Sequence, residues 1–331
     1  MYKICISNLV YGQPYIDIFL NYHLKSIFEN IDGHDFSSSH YLIFTDKDNM
    51  PLIESHENIK QLKDKLNVKL IKIEEVLEYD SRYKIQTLQV QWSARFALEH
   101  NFLFVIATAD AYYGKDFLKN AIKHINNGHD GIVHQPIRTT YESSAKYLTS
   151  NSLSVDELFE VGFSNLHPIW TSSNWDNPYF STSPYHMIWS DERSICLRGF
   201  SLSTSVVVPK EWMLLSSGCT DISYVSQLQN PYYSSDWSEL PMLELQPLLC
   251  FYPPFGNKRS DIQSVVDWAI KSIPLENFEN LSKYTIFKKI NEPINEELIL
   301  KSKLISGMLI TYMSALKIEK RILLADHSRS N

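Results

Sequence analysis

Roughly the first 135 residues alternate two rhythms of apolar positions. The segments Tyr2 to Leu9, Tyr41 to Thr45, Val68 to Ile73, Phe102 to Ala107 and Gly131 to His134 read as strands. Between them, Tyr15 to Glu29, Ile59 to Leu66 and Ile85 to His100 carry apolar residues at three-and-four spacing, which predicts helices with one face on a core. Strand and helix in turn imply an α/β fold, a mostly parallel sheet flanked by helices. Ligands of such sheets bind beyond the carboxyl ends of the strands. That singles out Ser7 to Gly12, Thr45 to Asn49 and Thr108 to Tyr113.

From about residue 140 the pattern breaks into loops rich in Ser, Thr, Asn, Pro and aromatic residues, with strand-like pieces at Ser194 to Leu202 and Thr204 to Val208. Long irregular stretches in an enzyme-sized chain are usually functional. Short helices are expected at Val155 to Val161 and Asp261 to Ile273, and helix from Leu281 to the end. The apolar piece Leu304 to Leu316, ahead of Lys317, Lys320 and Arg321, is suited to capping a core, pairing with a second subunit or lying on a membrane surface.

A chain of 331 residues with 44% hydrophobic content buries enough surface to fold without disulfide or metal staples. Its four cysteines, Cys5, Cys196, Cys219 and Cys250, form no CxxC pair, which argues against a zinc site and suggests a reducing, cytoplasmic address. A net charge of −7 with no basic stripe speaks against a nucleic-acid partner. No signal-peptide pattern opens the chain, and no uninterrupted apolar run reaches the length of a membrane span.

The chemistry is expected at the strand ends. Asp110 follows the apolar run 102–106, where a carboxylate can hold a phosphate-bound divalent metal or a sugar hydroxyl, or else cap a helix starting near Lys115. Asp221, in Cys219-Thr-Asp-Ile-Ser-Tyr224, is placed either to take a proton from an acceptor hydroxyl or to cap a helix at Ile222 to Leu228. Asp236, Glu239 and Glu244 downstream read as solvated surface charges. His167 and His186 sit in aromatic-rich loops, as ligands of phosphate, sugar or metal, or as structural residues. Arg138 can neutralise a diphosphate leaving group, or pair with Glu142 or Asp130. Neither GxGxxG nor GxxxxGK[ST] is present, nor Gly-x-Ser-x-Gly, which disfavours dinucleotide dehydrogenases, P-loop kinases and the commonest hydrolases.

The order of several segments resembles a family of bacterial glycosyltransferase-like proteins of surface-polysaccharide and glycan-modification settings. These are Val10-Tyr-Gly-Gln-Pro-Tyr-Ile-Asp-Ile-Phe-Leu-Asn21, Tyr41-Leu-Ile-Phe-Thr-Asp46, the strand end at Asp110, Leu166-His-Pro-Ile169, Ser183-Pro-Tyr-His-Met-Ile-Trp189, and Gly199 to Pro209 leading to Tyr224. The resemblance covers about residues 3–250 and implies a GT-A-like fold, a nucleotide-sugar donor and a glycan or other hydroxyl acceptor. It implies a nucleotide-sugar-binding half at 1–140, an acceptor-side half of the same domain at 141–260, and a helical C-terminal segment at 261–331. Ser7, Asn8 and Tyr11 would lie near the base, Thr45 and Asp46 near the ribose, and Asp110 near the diphosphate or its metal. Arg138 and His167 would assist there, with Asp221 and His186 as catalytic candidates. Where relatives often show Phe-His-Leu-His-Pro, this chain has Phe200-Ser-Leu-Ser-Thr204, and where they often carry Asp-x-Asp the positions flanking Asp110 are alanine and tyrosine; both departures put a Mn2+ or Mg2+ requirement in doubt.

Overall fold

The computed structural model describes residues 3–33, 36–73, 82–149, 152–214, 224–250 and 255–329, which form two compact units. The first comprises 1–167 and 202–250, the second 168–201 and 251–331. This division differs from sequence boundaries at 140 and 260, because strand pairing joins 186–199 to 285–287 rather than to its neighbours along the chain.

The first unit is built on a seven-stranded sheet. Its strands are β1 (Ile4–Leu9), β2 (His40–Thr45), β3 (Asn67–Lys72), β4 (Leu103–Ile106), β6 (Gly131–His134), β10 (Ser203–Val207) and β11 (Pro231–Tyr233), in the order β11-β6-β10-β4-β1-β2-β3. β1, β2, β3 and β4 run parallel, as their apolar runs predict, and β11 runs parallel to β6. β10 enters between β4 and β6 antiparallel to both. A smaller sheet holds β5 (Ala111–Tyr113), β7 (Ile137–Thr140) and β12 (Met242–Gln246), with β12 in the middle. The fold is therefore mixed α/β, with a mainly parallel central sheet and helices on its faces.

Alternation along β1 explains why Ile4, Cys5 and Ile6 are apolar one after another. Ile4 and Ile6 point into one buried cluster with the helices α1 (Gln13–Ile18), α2 (Leu24–Ile31), α3 (Met50–Ser55), α4 (Glu57–Lys65) and α6 (Phe117–Asn126). Cys5 points into the cluster on the other face, against Val90, Ala94 and Ala97 of α5 (Arg82–Glu99). A stretch of strand covered on both faces is apolar at consecutive positions, and Ser7 and Asn8 near the carboxyl end of β1 are the buried exceptions. Truncating Ile6 to alanine would cost about 2–5 kcal/mol.

The helix expected at 15–29 runs from Gln13 to Ile31, but not uniformly. Phe19–His23 winds as a π turn between α1 and α2. π turns are rare and concentrate at functional places. This one carries Phe19, Leu20 and His23 into the interior.

In the second unit β8 (His186–Ser190), β9 (Ile195–Gly199) and β13 (Thr285–Phe287) form an antiparallel sheet. Its core gathers Trp189, Phe200, Val266, Leu281 and Leu309. Helix does not begin at Leu281: a 3-10 turn at Leu275–Ser282 and β13 come first, and the C-terminal helix spans Glu296–Arg329. By length and composition Glu296–Leu316 is apolar enough to cross a membrane. One of its faces nevertheless packs on the core, through Leu298, Ile299, Ile305, Leu309, Ile310, Met313 and Leu316.

Candidate functional site

Asp110 stands where the sequence expects it, one turn beyond the carboxyl end of β4 and just before β5. It does not cap a helix. α6 starts at Phe117, and its first flanking residue is Asp116, in a left-handed conformation with φ 63°. Asp110 is 7% exposed, and its backbone carbonyl accepts the N–H of Leu245 at 2.8 Å, which ties the turn to β12.

The second carboxylate of the site is Glu244. Its position on β12 sets it opposite Ala111 of β5 on one side and Arg138 of β7 on the other. The Arg138 Nε donates to Glu244 Oε2 at 2.8 Å. Glu244 is thus not a solvated surface charge. Arg138 takes neither expected alternative: Asp130 is held by Lys210, and Glu142 accepts the backbone N–H of Leu248 at 3.1 Å. Burial, and next the charge of Glu244, push the Asp110 carboxyl well above the usual carboxylate range, while Arg138 pulls the other way. An acid held between protonated and ionised forms near neutral pH can exchange a proton or a hydrogen bond with a bound hydroxyl or phosphate.

His167 joins this group. Its backbone N–H donates to the Arg138 carbonyl at 2.9 Å, and its imidazole is kept neutral by burial first and by Arg138 second. Asp110, Arg138, His167 and Glu244 thereby share one small sheet and its margins.

A buried chain of polar groups supports the Asp110 turn from behind. His23 Nδ1 donates to the Ala111 carbonyl at 2.6 Å, and His23 Nε2 lies 2.7 Å from the Tyr41 hydroxyl. The same hydroxyl touches the Asn8 side-chain amide at 2.5 Å. Burial lowers the His23 pKa to about 4, so the ring is neutral, and the proton on Nδ1 leaves Nε2 to accept the one proton of the Tyr41 hydroxyl, whose oxygen in turn accepts from the Asn8 amide NH2. His23 escapes a sequence reading because it sits in a helix with apolar periodicity. Only the π turn aims it at β2 and β5.

The other expected ligand-binding residues divide. Asn8 and Thr45, at the ends of β1 and β2, are wholly buried; the Asn8 amide is turned to Tyr41, and Thr45 Oγ1 has no hydrogen-bond partner within the protein. Buried polar atoms left so are uncommon and mark places where a ligand can complete the set. Ser7 points to the opposite sheet face from Asn8, where its hydroxyl meets Ser93 Oγ at 2.7 Å and Gln89 Nε2. Tyr11 packs on that same side. Asp46 accepts the backbone N–H groups of Asp48 and Asn49 at 3.1 and 2.9 Å, closing the turn after β2. His186 lies in the second unit, where Nε2 donates to the Ser201 carbonyl at 3.0 Å. Asp221 lies outside the described residues.

The donor set among the described residues does not suit a resident divalent metal. Among the described residues no three His, Cys, Asp or Glu side chains converge. Of the two carboxylates present, Glu244 already holds Arg138, and Asp110 is drawn toward its protonated form. A hard cation needs ionised oxygens that are not already spent.

No protein-family model matches the sequence, and no curated protein matches it either. Among solved structures, a mannosyltransferase from Pyrobaculum calidifontis in complex with GDP-Man and Mn2+ aligns over 99% of this chain and 80% of its own, at 14% identity and a TM-score of 0.38. A Bacillus anthracis protein described as a glucose-1-phosphate thymidylyltransferase aligns over 43% of this chain at 13% identity and a TM-score of 0.30. A 4-diphosphocytidyl-2C-methyl-D-erythritol synthase from Anaerococcus prevotii aligns over 41% at 14% identity and a TM-score of 0.28. This chain spans little more than half the length of the latter two, 57% and 56%.

Proposed function

We propose that the protein is a glycosyltransferase of GT-A-like fold that moves a sugar from a nucleotide-sugar donor to a hydroxyl of a glycan or related acceptor. The observation that carries this reading is Asp110. It is a buried carboxyl at the carboxyl edge of a mainly parallel sheet, flanked by Glu244 and Arg138 and backed by a hydrogen-bonded chain that reaches Asn8.

In this reading Asn8 and the unpartnered Thr45 Oγ1 lie on the side of the sheet that takes the nucleoside, and Asp110 takes a hydroxyl or phosphate oxygen of the donor. As the bond between the sugar's anomeric carbon and the diphosphate oxygen breaks, negative charge grows on the departing nucleoside diphosphate. Arg138, with His167 beside it, is the protein's means of stabilising that charge. The acceptor oxygen forms the new bond and gives its proton to a base. Asp221 is the candidate by sequence position.

Nucleotidyl transfer uses related substrates but generally needs a glycine-rich, basic loop after the first strand. Here Val10-Tyr11-Gly12 offers one glycine and no base before α1 begins at Gln13 with Pro14 in its first turn. That favours glycosyl transfer.

A thermal-shift panel of uridine, guanosine, cytidine and thymidine diphosphate sugars, with and without Mn2+, tests the proposal. One nucleotide family should raise the melting temperature of the wild type and not of Asp110→Asn. Equal affinity in the two proteins removes Asp110 from the site. Pyrophosphate release from a nucleoside triphosphate and a sugar 1-phosphate would replace glycosyl with nucleotidyl transfer.

A further inference from the structure

Each oxygen of Glu244 is already engaged. Oε2 accepts from the Arg138 Nε at 2.8 Å, and Oε1 accepts from the Gln246 Nε2 at 2.9 Å. Gln246 stands two residues further along β12, so both side chains leave the same face of that strand. Like Asp110 it is nearly closed to solvent, at 3% exposure. The bond to Glu244 fixes which way its amide lies. A carboxylate that holds an arginine only accepts hydrogen bonds, so the NH2 group has to face it and the carbonyl oxygen has to face away. That oxygen, Oε1, is buried and has no hydrogen-bond donor among the described residues.

An open, buried acceptor is uncommon, and only a donor can complete it. That requirement says what class of group belongs there. The oxygens of a diphosphate are themselves acceptors and would repel it; they suit Arg138 and His167 instead. A hydroxyl can donate. The nucleoside is assigned to the ends of β1 and β2 in the larger sheet, whereas Gln246 lies in the smaller sheet and is joined to Arg138 through Glu244. On the far side of the diphosphate from the nucleoside comes the sugar.

We infer that Gln246 is a specificity-determining residue: its Oε1 accepts a hydrogen bond from one hydroxyl of the transferred sugar, and Glu244 aims it. The inference rests on the reading of this site as one for a nucleotide sugar. It makes the site selective for sugars that keep that hydroxyl, because an analogue without it leaves a buried acceptor unanswered.

Isothermal titration tests this with UDP-glucose, UDP-galactose, GDP-mannose, CDP-glucose and dTDP-glucose, and with the 2-, 3-, 4- and 6-deoxyfluoro analogues of whichever binds. Fluorine keeps the size of a hydroxyl but cannot donate. At one position the analogue should bind the wild type roughly 10- to 100-fold more weakly than the parent, and Gln246→Met should shrink that penalty to below about threefold while leaving penalties at the other positions in place. Gln246→Asn, which draws the amide back, should do the same and serves if the methionine variant does not fold. A wild type that binds every analogue as well as the parent overturns the inference whatever the variants do. So does a penalty that persists in both variants. A Gln246→Met protein that loses the bare nucleoside diphosphate as strongly as the sugar nucleotide overturns it too, because Gln246 then acts on the diphosphate group. So does a penalty that Gln246→Met relieves only for removal of the ribose 2′-hydroxyl, which moves the contact to the nucleoside. If none of the five sugar nucleotides binds, the glycosyltransferase reading falls and this inference with it; if one binds, only the contact at Gln246 is at issue.

Discussion

Asp110 and Asp130 are the same residue, buried to nearly the same degree at 7% and 9% exposure, in neighbouring parts of one unit, and they behave in opposite ways. Asp130 is fully answered. Lys210 Nζ lies 2.7 Å from its carboxylate, and the backbone N–H groups of Gln229 and Asn230 donate to it at 2.9 Å. Burial pushes its pKa up, but Lys210 and the two N–H groups outweigh that and hold it below the ordinary value. Asp110 meets a like charge in Glu244, and Arg138 is bonded to that neighbour. A carboxylate whose charge is neutralised within the fold ties loops together. One whose charge is left open costs stability and is kept available to a ligand.

Removing Asp130 gives the largest effect expected. Asp130→Ala strands Lys210 and two backbone donors, and should cost about 3 kcal/mol, seen as a lower urea midpoint. Because its pKa is lowered on folding, its contribution is present above the unfolded-state pKa and lost as pH falls through the folded one. Asp110→Asn should do the reverse. A carboxyl whose pKa is raised on folding loses stability as pH rises from its unfolded to its folded pKa, by about 1.4 kcal/mol for every tenfold by which folding weakens the acid. The asparagine variant should therefore gain melting temperature relative to wild type at pH 8 and not at pH 4. A parallel pH response in both proteins would mean that Asp110 does not carry the open charge.

Glu244→Gln sharpens the contrast. The Asp110 pKa, followed by carbon NMR of a labelled side chain, should fall yet stay above the ordinary value, because burial is the larger cause. The smallest change is expected at Asp46→Ala, which opens the turn after β2 and should cost about 0.5–1 kcal/mol, readable in a thermal melt.

Asp110 is legible in the sequence because it depends on local facts: an apolar run, its end, and an acid just beyond. The parallel strands β1 to β4 are legible for the same reason. Glu244 is not, since its burial follows from β12 lying between β5 and β7, a pairing of residues more than a hundred positions apart. The antiparallel entry of β10, and the short strands β5, β11 and β13, likewise rest on distant partners. The second unit escapes for a related reason: its two chain segments are separated by the last strands of the first. Ser203 pairs with His134 across β10 and β6, so an imidazole stands at that level of the sheet, contributed by the other strand. Burial holds it neutral, with a pKa near 4.

The π turn at Phe19–His23 works as a frame-setting insertion. It carries one residue more per turn than the α-helix on either side, which rotates everything after it by about 100° about the axis. Downstream, Leu24, Ile27 and Ile31 meet the core in this frame, and Asn30 reaches the Gly114 carbonyl and the Leu118 N–H to fix the start of α6. Deleting a single residue between 19 and 23 would let the helix relax to uniform α geometry without shortening it by a full turn. α2 would keep the side it presents to β5, because the deletion removes the one residue that the wider turn accommodates; uniform α geometry with that residue kept would instead turn the whole of α2 by about 100° and take Asn30 away from the start of α6.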